Sequence, residues 1–362
     1  MMLRILDRHV LREFALHLLL GLSVFIGIYL IVDLFEKIDT FVDYHASTAA
    51  ILTYYLNSLP VIFVQVLPIG MLLAGVLAFG QMRRFNEITA MQSCGLSPVR
   101  ITAPVLALGL LVSGGSYLIG EFFVPGAYRQ REETLEVTIK KKRPADSIGR
   151  SDVYYIGRGG RVYVAEQFDP RRPQLIGVSV QQLQAGPTLW KRADAAQALW
   201  SEEGFLELEH GSVRLFQEGR ETMASFARYG DSRFVEQPDE FRRIENDPFR
   251  MTRGQLNDYI ARIGEGGARV SKYRVDYHLR AAFPVANFIM VLLGTCLSLR
   301  IIRGTLALGF GISISLGFAY YGFLRVGQAL GYTEHLHPMA AAWLGNIVFG
   351  ILGAILFWRS NR

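Results

Sequence analysis

The side chains best suited to chemistry in this sequence are ionisable groups that lie beside or within long apolar runs. Arg325 lies about twenty residues into the apolar run 305–330, close to its far end, and Arg280 lies at the entry to the run 281–301. Ionisable groups at such depths are costly unless they face a cavity or a partner, or extend to the membrane interface. Because arginine is well shaped for phosphate, the two guanidinium groups predict either contact with anionic headgroups or plain interfacial placement.

No catalytic or nucleotide-binding constellation accompanies these residues. The sequence lacks the phosphate-binding pattern G-x-x-x-x-G-K-[ST], and Gly157-Arg-Gly-Gly160 stands between two strand-like segments, where glycines serve a turn. His335 and His337 share a loop, but two histidines without further ligands are more often solvated than metal-binding. The sequence therefore predicts a non-catalytic chain that binds no metal or cofactor, and whose energy for any driven process comes from another protein.

The composition indicates a chain that is partly in a membrane and partly in water. Its 362 residues are 51% hydrophobic and 19% charged, too apolar for a soluble chain of this length and too charged for one wholly in lipid. The net charge of +6 could suggest nucleic acid, but the arginines cluster at the ends of apolar runs and are not interleaved with aromatic residues. We therefore attribute the positive charge to membrane topology and expect no nucleic-acid partner.

Six apolar runs are long enough to cross a bilayer, and they divide three and three around a polar insert. They cover residues 18–35, 52–80, 98–124, 281–301, 305–330 and 339–358. The N-terminal residues 1–13 carry Arg4, Arg8 and Arg12 and predict an amphipathic helix at the membrane surface. Further arginines flank the ends and turns that would share this side: Arg83, Arg84, Arg100, Arg300, Arg303, Arg359 and Arg362. The positive-inside rule then predicts cytoplasmic termini and an extracytoplasmic insert.

The insert, residues 125–270, is rich in strand signals. Residues 153–156 and 161–165 predict a hairpin, and further strands are predicted at 175–183, 189–199 and 205–216. Short strands at this spacing predict an all-β, jellyroll-like domain, and Thr252-Arg-Gly-Gln255 predicts a capping box that opens a helix. The predicted fold is thus a six-helix membrane protein with a β domain between helices 3 and 4, divided into residues 1–124, 125–270 and 271–362.

A short polar interruption separates the second and third apolar runs. Phe85, Ile88 and Met91 recur every third residue and predict an amphipathic helix over residues 82–95. Gly95 suits the left-handed position after a helix, and Ser97-Pro98 suits the first residues of the next one. A capped cytoplasmic helix of this kind could receive a push from a soluble partner, or it could simply connect two spans.

Several motifs, in this order of domains, are similar to those of one family. They are Leu6-Asp-Arg8, Pro68, Asn86-Glu-Ile-Thr-Ala-Met-Gln-Ser-Cys-Gly-Leu-Ser97, Leu279-Arg-Ala-Ala-Phe-Pro284 and Ala341-Ala-Trp-Leu-Gly-Asn346. Together they resemble the lipopolysaccharide-export permeases of the LptF/LptG family, over essentially the whole chain. Asp7-Arg8 and Phe85-Asn86-Glu87 look more like the LptG branch than LptF.

The resemblance implies a permease of the bacterial inner membrane that extracts lipopolysaccharide from the outer leaflet. Its partners would be a sibling LptF-like permease, a cytoplasmic LptB-like ATPase dimer that binds ATP and Mg, and periplasmic LptC- and LptA-like bridge proteins. By motif, the residues that couple to the ATPase would be Arg84, Asn86, Glu87, Met91 and Gly95. The lipid would pass between the first span of one subunit and the fifth of the other, which suggests a lateral gate of Tyr29, Asp33, Glu36, Lys37, Arg280, Tyr321 and Arg325.

A second interpretation is a membrane scaffold or signal relay, whose β domain binds an outside partner while the spans only anchor it. Pro60, Gln65, Pro68 and Arg325 favour the transporter. An anchor in lipid has no need for polar or helix-bending residues, whereas a helix that lines a cavity accommodates them.

Overall fold

The computed structural model describes residues 5–141, 150–157, 161–169, 172–183, 189–201, 205–217, 220–231, 234–238, 241, 248–265, 270–300 and 306–360. The chain forms two compact units, Met1–Thr134 with Arg274–Arg362, and Leu135–Tyr273. The predicted domain limits at 124/125 and 270/271 stay predictions, and the first of them falls inside a continuous helical stretch. The predicted turns at 158–160 and around Arg303 lie outside the described residues, as do Arg4, Arg362 and the side chain of Arg300.

Nine α-helices are described. They are α1 (Ile5–Asp43), α2 (Thr48–Arg84), α3 (Glu87–Ser93), α4 (Pro98–Leu118), α5 (Val124–Glu133), α6 (Arg253–Glu265), α7 (Ser271–Arg300), α8 (Leu306–Tyr332) and α9 (Pro338–Ser360). A π-helical turn, Ile119–Phe123, joins α4 to α5, and a second one, Thr134–Ile139, follows α5. The predicted N-terminal surface helix is not a separate element, because α1 continues without a break from Ile5 into the first apolar run.

Side-chain caps set the starts of three helices, and those at Ser97 and Thr252 were expected from the sequence. The hydroxyl groups of Ser47 and Ser97 accept hydrogen bonds from the backbone N–H groups of Ala50 and Arg100, both at 3.3 Å. At α6 the predicted capping box is confirmed: the Thr252 N–H donates to Gln255 Oε1 at 2.9 Å, and the Gln255 N–H donates to Thr252 Oγ1 at 3.4 Å. Each cap satisfies backbone donors that the first helical turn leaves without partners.

Five helical stretches of the described part are long and apolar enough to cross a membrane. They are Ile5–Asp43, Thr48–Arg84, Pro98–Ile139, Ser271–Leu299 and Pro338–Arg359. Six spans were expected, and five are confirmed by length and composition. The remaining run, predicted at 305–330, does form a helix of 27 residues, α8. It is not among these five stretches, so its crossing of the membrane stays a prediction.

The helical unit is packed around α2. Met71, Leu72, Ala74, Ala78 and Phe79 of this helix are fully buried. Glycines bring α2 and α7 into backbone contact: a Cβ at Gly294 would lie 2.5 Å from the Leu72 carbonyl oxygen. The Ser298 hydroxyl of α7 donates to the Val76 carbonyl oxygen at 2.8 Å. Small residues and hydroxyl groups are what helices use to associate in lipid, where the hydrophobic effect does not draw them together.

The second unit contains one antiparallel sheet of six strands. They are β1 (Arg150–Ile156), β2 (Arg161–Asp169), β3 (Gln174–Leu183), β4 (Leu189–Trp200), β5 (Leu206–Gln217) and β6 (Arg220–Gly230). Each strand pairs with the next along the chain, in the order β1-β2-β3-β4-β5-β6. The all-β prediction is confirmed, but the described strands form a meander without the Greek-key crossover of a jelly roll. Sequence analysis missed β6, because its alternation carries few apolar residues on either face.

A buried carboxylate fixes the segment 234–238 onto this sheet. The side chain of Glu236 is completely buried, and it accepts hydrogen bonds from Tyr163 Oη at 2.6 Å and from Arg161 Nη2 at 3.2 Å. Trp200 Nε1 donates to the Glu236 carbonyl oxygen at 2.6 Å. Burial raises the pKa of Tyr163, and the neighbouring carboxylate raises it further, so the phenol stays protonated and donates. The β unit therefore has a charged centre beside its aromatic core.

Candidate functional site

The short helix α3 is separated from α2 by a break at Phe85 and Asn86. Asn86 adopts the left-handed conformation, with φ 58°, and its N–H donates to the Arg83 carbonyl oxygen, which ends α2. The separate helix is therefore shorter than the predicted 82–95: residues 82–84 belong to α2, and α3 spans only Glu87–Ser93. Gly95 follows in the left-handed conformation, φ 85°, as predicted. We call residues 85–95 the coupling segment.

One face of the coupling segment is buried and the other is exposed. Ile88 and Met91 belong to the apolar core of the helical unit, so the structure gives Met91 a packing position rather than a surface one. Phe85, expected on the same stripe, is instead 64% exposed, because the break at Asn86 takes it out of the helical repeat. The exposed residues are Arg84, Phe85, Asn86, Thr89, Ala90, Gln92, Ser93, Cys94 and Gly95. They offer a surface to a soluble partner.

The first turns of α1 hold the coupling segment by polar contacts. His9 Nε2 lies 2.9 Å from Glu87 Oε2, and the two side chains are 42% and 37% exposed. Arg100 donates two hydrogen bonds to the buried Asp7 carboxylate, at 2.8 and 2.9 Å. His17 Nε2 lies 3.1 Å from Gln81 Oε1 near the end of α2. Sequence reasoning identified Glu87 but missed its partner His9, 78 positions away, because no local signal joins them. It missed the Asp7–Arg100 pair, 93 positions apart, for the same reason.

A second group of charged side chains lies near the other end of α1. Tyr29, Asp33 and Lys37 recur every fourth residue, and so they share one face of the helix. Lys37 Nζ donates to Asp33 Oδ1 at 2.6 Å and lies 5.4 Å from the centre of the Tyr54 ring on α2. Arg131 of α5 stands 6.0 Å from the same ring. Glu36 is exposed and does not belong to this face.

This arrangement, which we call the Lys37–Arg131 cluster, suits an anion. A guanidinium and an ammonium approach one aromatic ring, and both are donors for phosphate oxygens. Asp33 partly neutralises Lys37, and Glu132 accepts from Arg131 Nη2 at 2.9 Å. A bound phosphate could replace these carboxylates as partner of the two cations. Arg131 was missed because its charged surroundings in the sequence indicate a solvated helix, whereas α5 packs it against α2.

The remaining predicted gate residues lie on α7 and α8. Arg280 Nη1 is 3.8 Å from Glu121 Oε2 of the first π-helical turn. The Tyr321 hydroxyl donates to the Gln65 carbonyl oxygen, and Arg325 Nη1 donates to Gln328 Oε1 at 3.0 Å. Helix α8 packs against α2 and α9. The structure thus places the predicted gate residues in two groups, one on α1 and one on α7 and α8.

Within the described ranges, no three His, Cys, Asp or Glu side chains are placed to hold a metal ion. Comparison with known proteins gives two findings. Residues 8–359 match the family described as lipopolysaccharide export system permease LptF/LptG. The chain is also 22% identical over 298 residues to the lipopolysaccharide export system permease protein LptG of Haemophilus influenzae, which covers 80% of this chain and 79% of that protein. Both similarities extend through the helical unit and the β insert.

Proposed function

This chain belongs to the LptF/LptG family of lipopolysaccharide export permeases, and on that basis we propose that it is the transmembrane subunit of an ATP-driven exporter. The subunit would extract lipopolysaccharide from the outer leaflet of the inner membrane and pass it to a periplasmic bridge. The observation that carries the proposal is the family match, which runs through both structural units. An exposed coupling segment and a cationic cluster support it, because an exporter needs contact with both an ATPase and an anionic lipid.

The proposed topology has six spans, with α8 as the fifth. At about 1.5 Å per residue, the 27 residues of α8 reach about 40 Å, which exceeds the hydrocarbon core of a bilayer. The arginines at residues 83, 84, 100 and 359 favour the cytoplasm for the coupling segment and both termini. The β unit is then periplasmic.

We propose that the coupling segment binds a cytoplasmic ATPase. Glu87 would pair with a basic group of that protein, and Arg84, Asn86 and Gly95 would border the contact from the exposed face. ATP and Mg would be bound by the ATPase dimer alone, and this chain would supply no catalytic group. The role of this chain would be to convert a movement of the coupling segment into a movement of the lipid-facing helices.

The two groups of gate residues fit a permease that works beside a sibling. Tyr29, Asp33, Glu36 and Lys37 on α1 would face the fifth span of the sibling, while Tyr321 and Arg325 on α8 would face its first span. Much of the apolar surface of both helices is exposed in this chain alone, including Phe35 and Phe318. The Lys37–Arg131 cluster would receive the lipid A phosphates while the acyl chains follow the apolar surface.

The alternative is a scaffold or relay protein, and photo-crosslinking separates it from a permease. We expect crosslinkers at Tyr29 and Tyr321 in the native membrane to capture lipopolysaccharide, because both positions border a proposed lipid passage. A crosslinker at Val348 of α9 serves as the matched control and should capture little, because it is partly buried like Tyr321 but lies outside both gate groups. Equal labelling at all three positions, or none at Tyr29 and Tyr321, would favour a scaffold whose helices only anchor it.

A further inference from the structure

The first turns of α1 are joined to the coupling segment on both of its sides. His9 contacts Glu87, the first residue of α3, while Asp7 binds Arg100 in the first turn of α4. Val10 and Phe14 of α1 are also fully buried, in the same apolar core as Ile88 and Met91. A movement of α3 would therefore push directly on α1, as well as on α2 and α4, the two helices to which α3 is connected in sequence.

Of the three long helices that meet the coupling segment, α1 is the one that reaches the opposite end of the unit without a proline or a π-helical turn. Helix α2 contains Pro60 and Pro68, and α4 contains Pro104 and leads into a π-helical turn. Prolines and π-turns interrupt the backbone hydrogen bonds and are where helices bend. Helix α1 runs for 39 residues without either feature. At about 1.5 Å per residue, Asp7 and Asp33 are about 39 Å apart on one continuous helix.

We propose that Asp7 and His9 are positioning residues, which transmit a movement of the coupling segment through α1 to the Lys37–Arg131 cluster. Neither residue needs to touch the ATPase or the lipid, because they act through Arg100 and Glu87. This inference rests on the proposed function and adds the route by which ATP hydrolysis reaches the lipid gate. The N-terminal turns of α1, rather than the proline-containing α2, carry the signal.

The Asp7–Arg100 pair is suited to this role by its burial and geometry. The Asp7 side chain is only 7% exposed, and both of its oxygens are bound by the same guanidinium. A bidentate pair fixes orientation as well as distance. Loss of the guanidinium would leave the buried Asp7 carboxylate without compensation, so the pair resists separation when α3 moves.

The test compares transport with hydrolysis in the complete complex of this chain, its sibling permease, the ATPase and the bridge. The complex is reconstituted in vesicles that contain lipopolysaccharide, and lipopolysaccharide transferred per ATP hydrolysed is measured. We expect Asp7→Asn to lower this ratio about fivefold or more, the lower end of typical coupling between two sites. Co-purification of the ATPase and hydrolysis without lipopolysaccharide should stay within about twofold of the wild-type values, since the ATPase contact is intact.

A second variant guards against simple misfolding. Arg100→Lys keeps the positive charge but loses the bidentate geometry, so the complex with this variant should assemble normally and still transfer less lipopolysaccharide per ATP.

The control is Arg8→Gln, which removes a charge from the exposed neighbour of Asp7. It should leave the lipopolysaccharide transferred per ATP at the wild-type value. An unchanged ratio in both Asp7→Asn and Arg100→Lys overturns the relay, as does an equal loss of transport and hydrolysis. If the wild-type complex transfers no lipopolysaccharide, the proposed function itself fails, and the relay fails with it.

Discussion

Glu87→Lys is expected to abolish association between this permease and its ATPase, whereas Glu87→Gln should only weaken it. The carboxylate is 37% exposed in this chain and would become buried when the coupling segment docks. Reversing one partner of a buried charged pair costs at least the roughly 3–5 kcal/mol of losing it, while an exposed pair is worth less than about 1 kcal/mol. Lysine would also remove the carboxylate that lies 2.9 Å from His9 Nε2. Co-purification of the ATPase with the tagged permease measures the effect.

A matched control for this charge reversal is Glu221→Lys in the β unit. Glu221 is 50% exposed and pairs with Arg214, so the same charge is reversed at a comparable surface position far along the chain. The permease with Glu221→Lys should associate with the ATPase as the wild type does. If Glu87→Lys co-purifies with the ATPase as the wild type does, α3 is only a connector between α2 and α4.

The double variant Lys37→Gln/Arg131→Gln should impair lipopolysaccharide export by more than about tenfold, while hydrolysis of ATP without lipid stays intact. A hydrogen bond to a charged group contributes about 1.5–3 kcal/mol, and the double variant removes two such donors from one phosphate. Each single variant should cost a more modest factor, because the phosphate can shift toward the remaining cation. The amide side chains keep most of the shape, so the loss reports on charge. Export is measured in vesicles beside the ATP turnover.

The control for this second experiment lies at the other end of the same helix. Arg8→Gln/Arg12→Gln also removes two positive charges from exposed positions on α1, and it should leave export near the wild-type rate.

A double variant of Arg280 and Arg325 should impair export, as the Lys37/Arg131 variant does, since these residues belong to the second gate group. Normal export by the Lys37/Arg131 variant would remove the cluster from the lipid passage.

Most helices and strands of this fold were predictable from the sequence, because their signals are local. The caps at Ser97 and Thr252, the glycine at position 95, five long apolar helices and most of the strands follow from short patterns of polar and apolar residues. Strand β6 was missed, and strand order was not predictable, because pairing depends on contacts between distant segments. The jellyroll-like arrangement stays a prediction, because the described strands pair in sequence order and show no crossover.

The candidate site shows the same division. Glu87, Tyr29, Lys37 and its partner Asp33 were selected from motif and position, but contacts between distant segments were not. Asp7 is 93 residues from Arg100, and Arg131 reaches Tyr54 only because α5 continues α4 back against α2. The break at Asn86 was also missed, although asparagine adopts the left-handed conformation more readily than most residues. For the paired side chains, the missing information was which distant segments come together.

The decisive measurement is ATP-dependent movement of lipopolysaccharide from vesicles that contain this chain, its sibling permease and the ATPase to an added bridge protein. The proposed function predicts transfer that requires hydrolysable ATP, is absent with a non-hydrolysable analogue, and is lost in Glu87→Lys. Hydrolysis of ATP by a fully assembled complex without any transfer of lipopolysaccharide, or equal transfer with and without ATP, would contradict it.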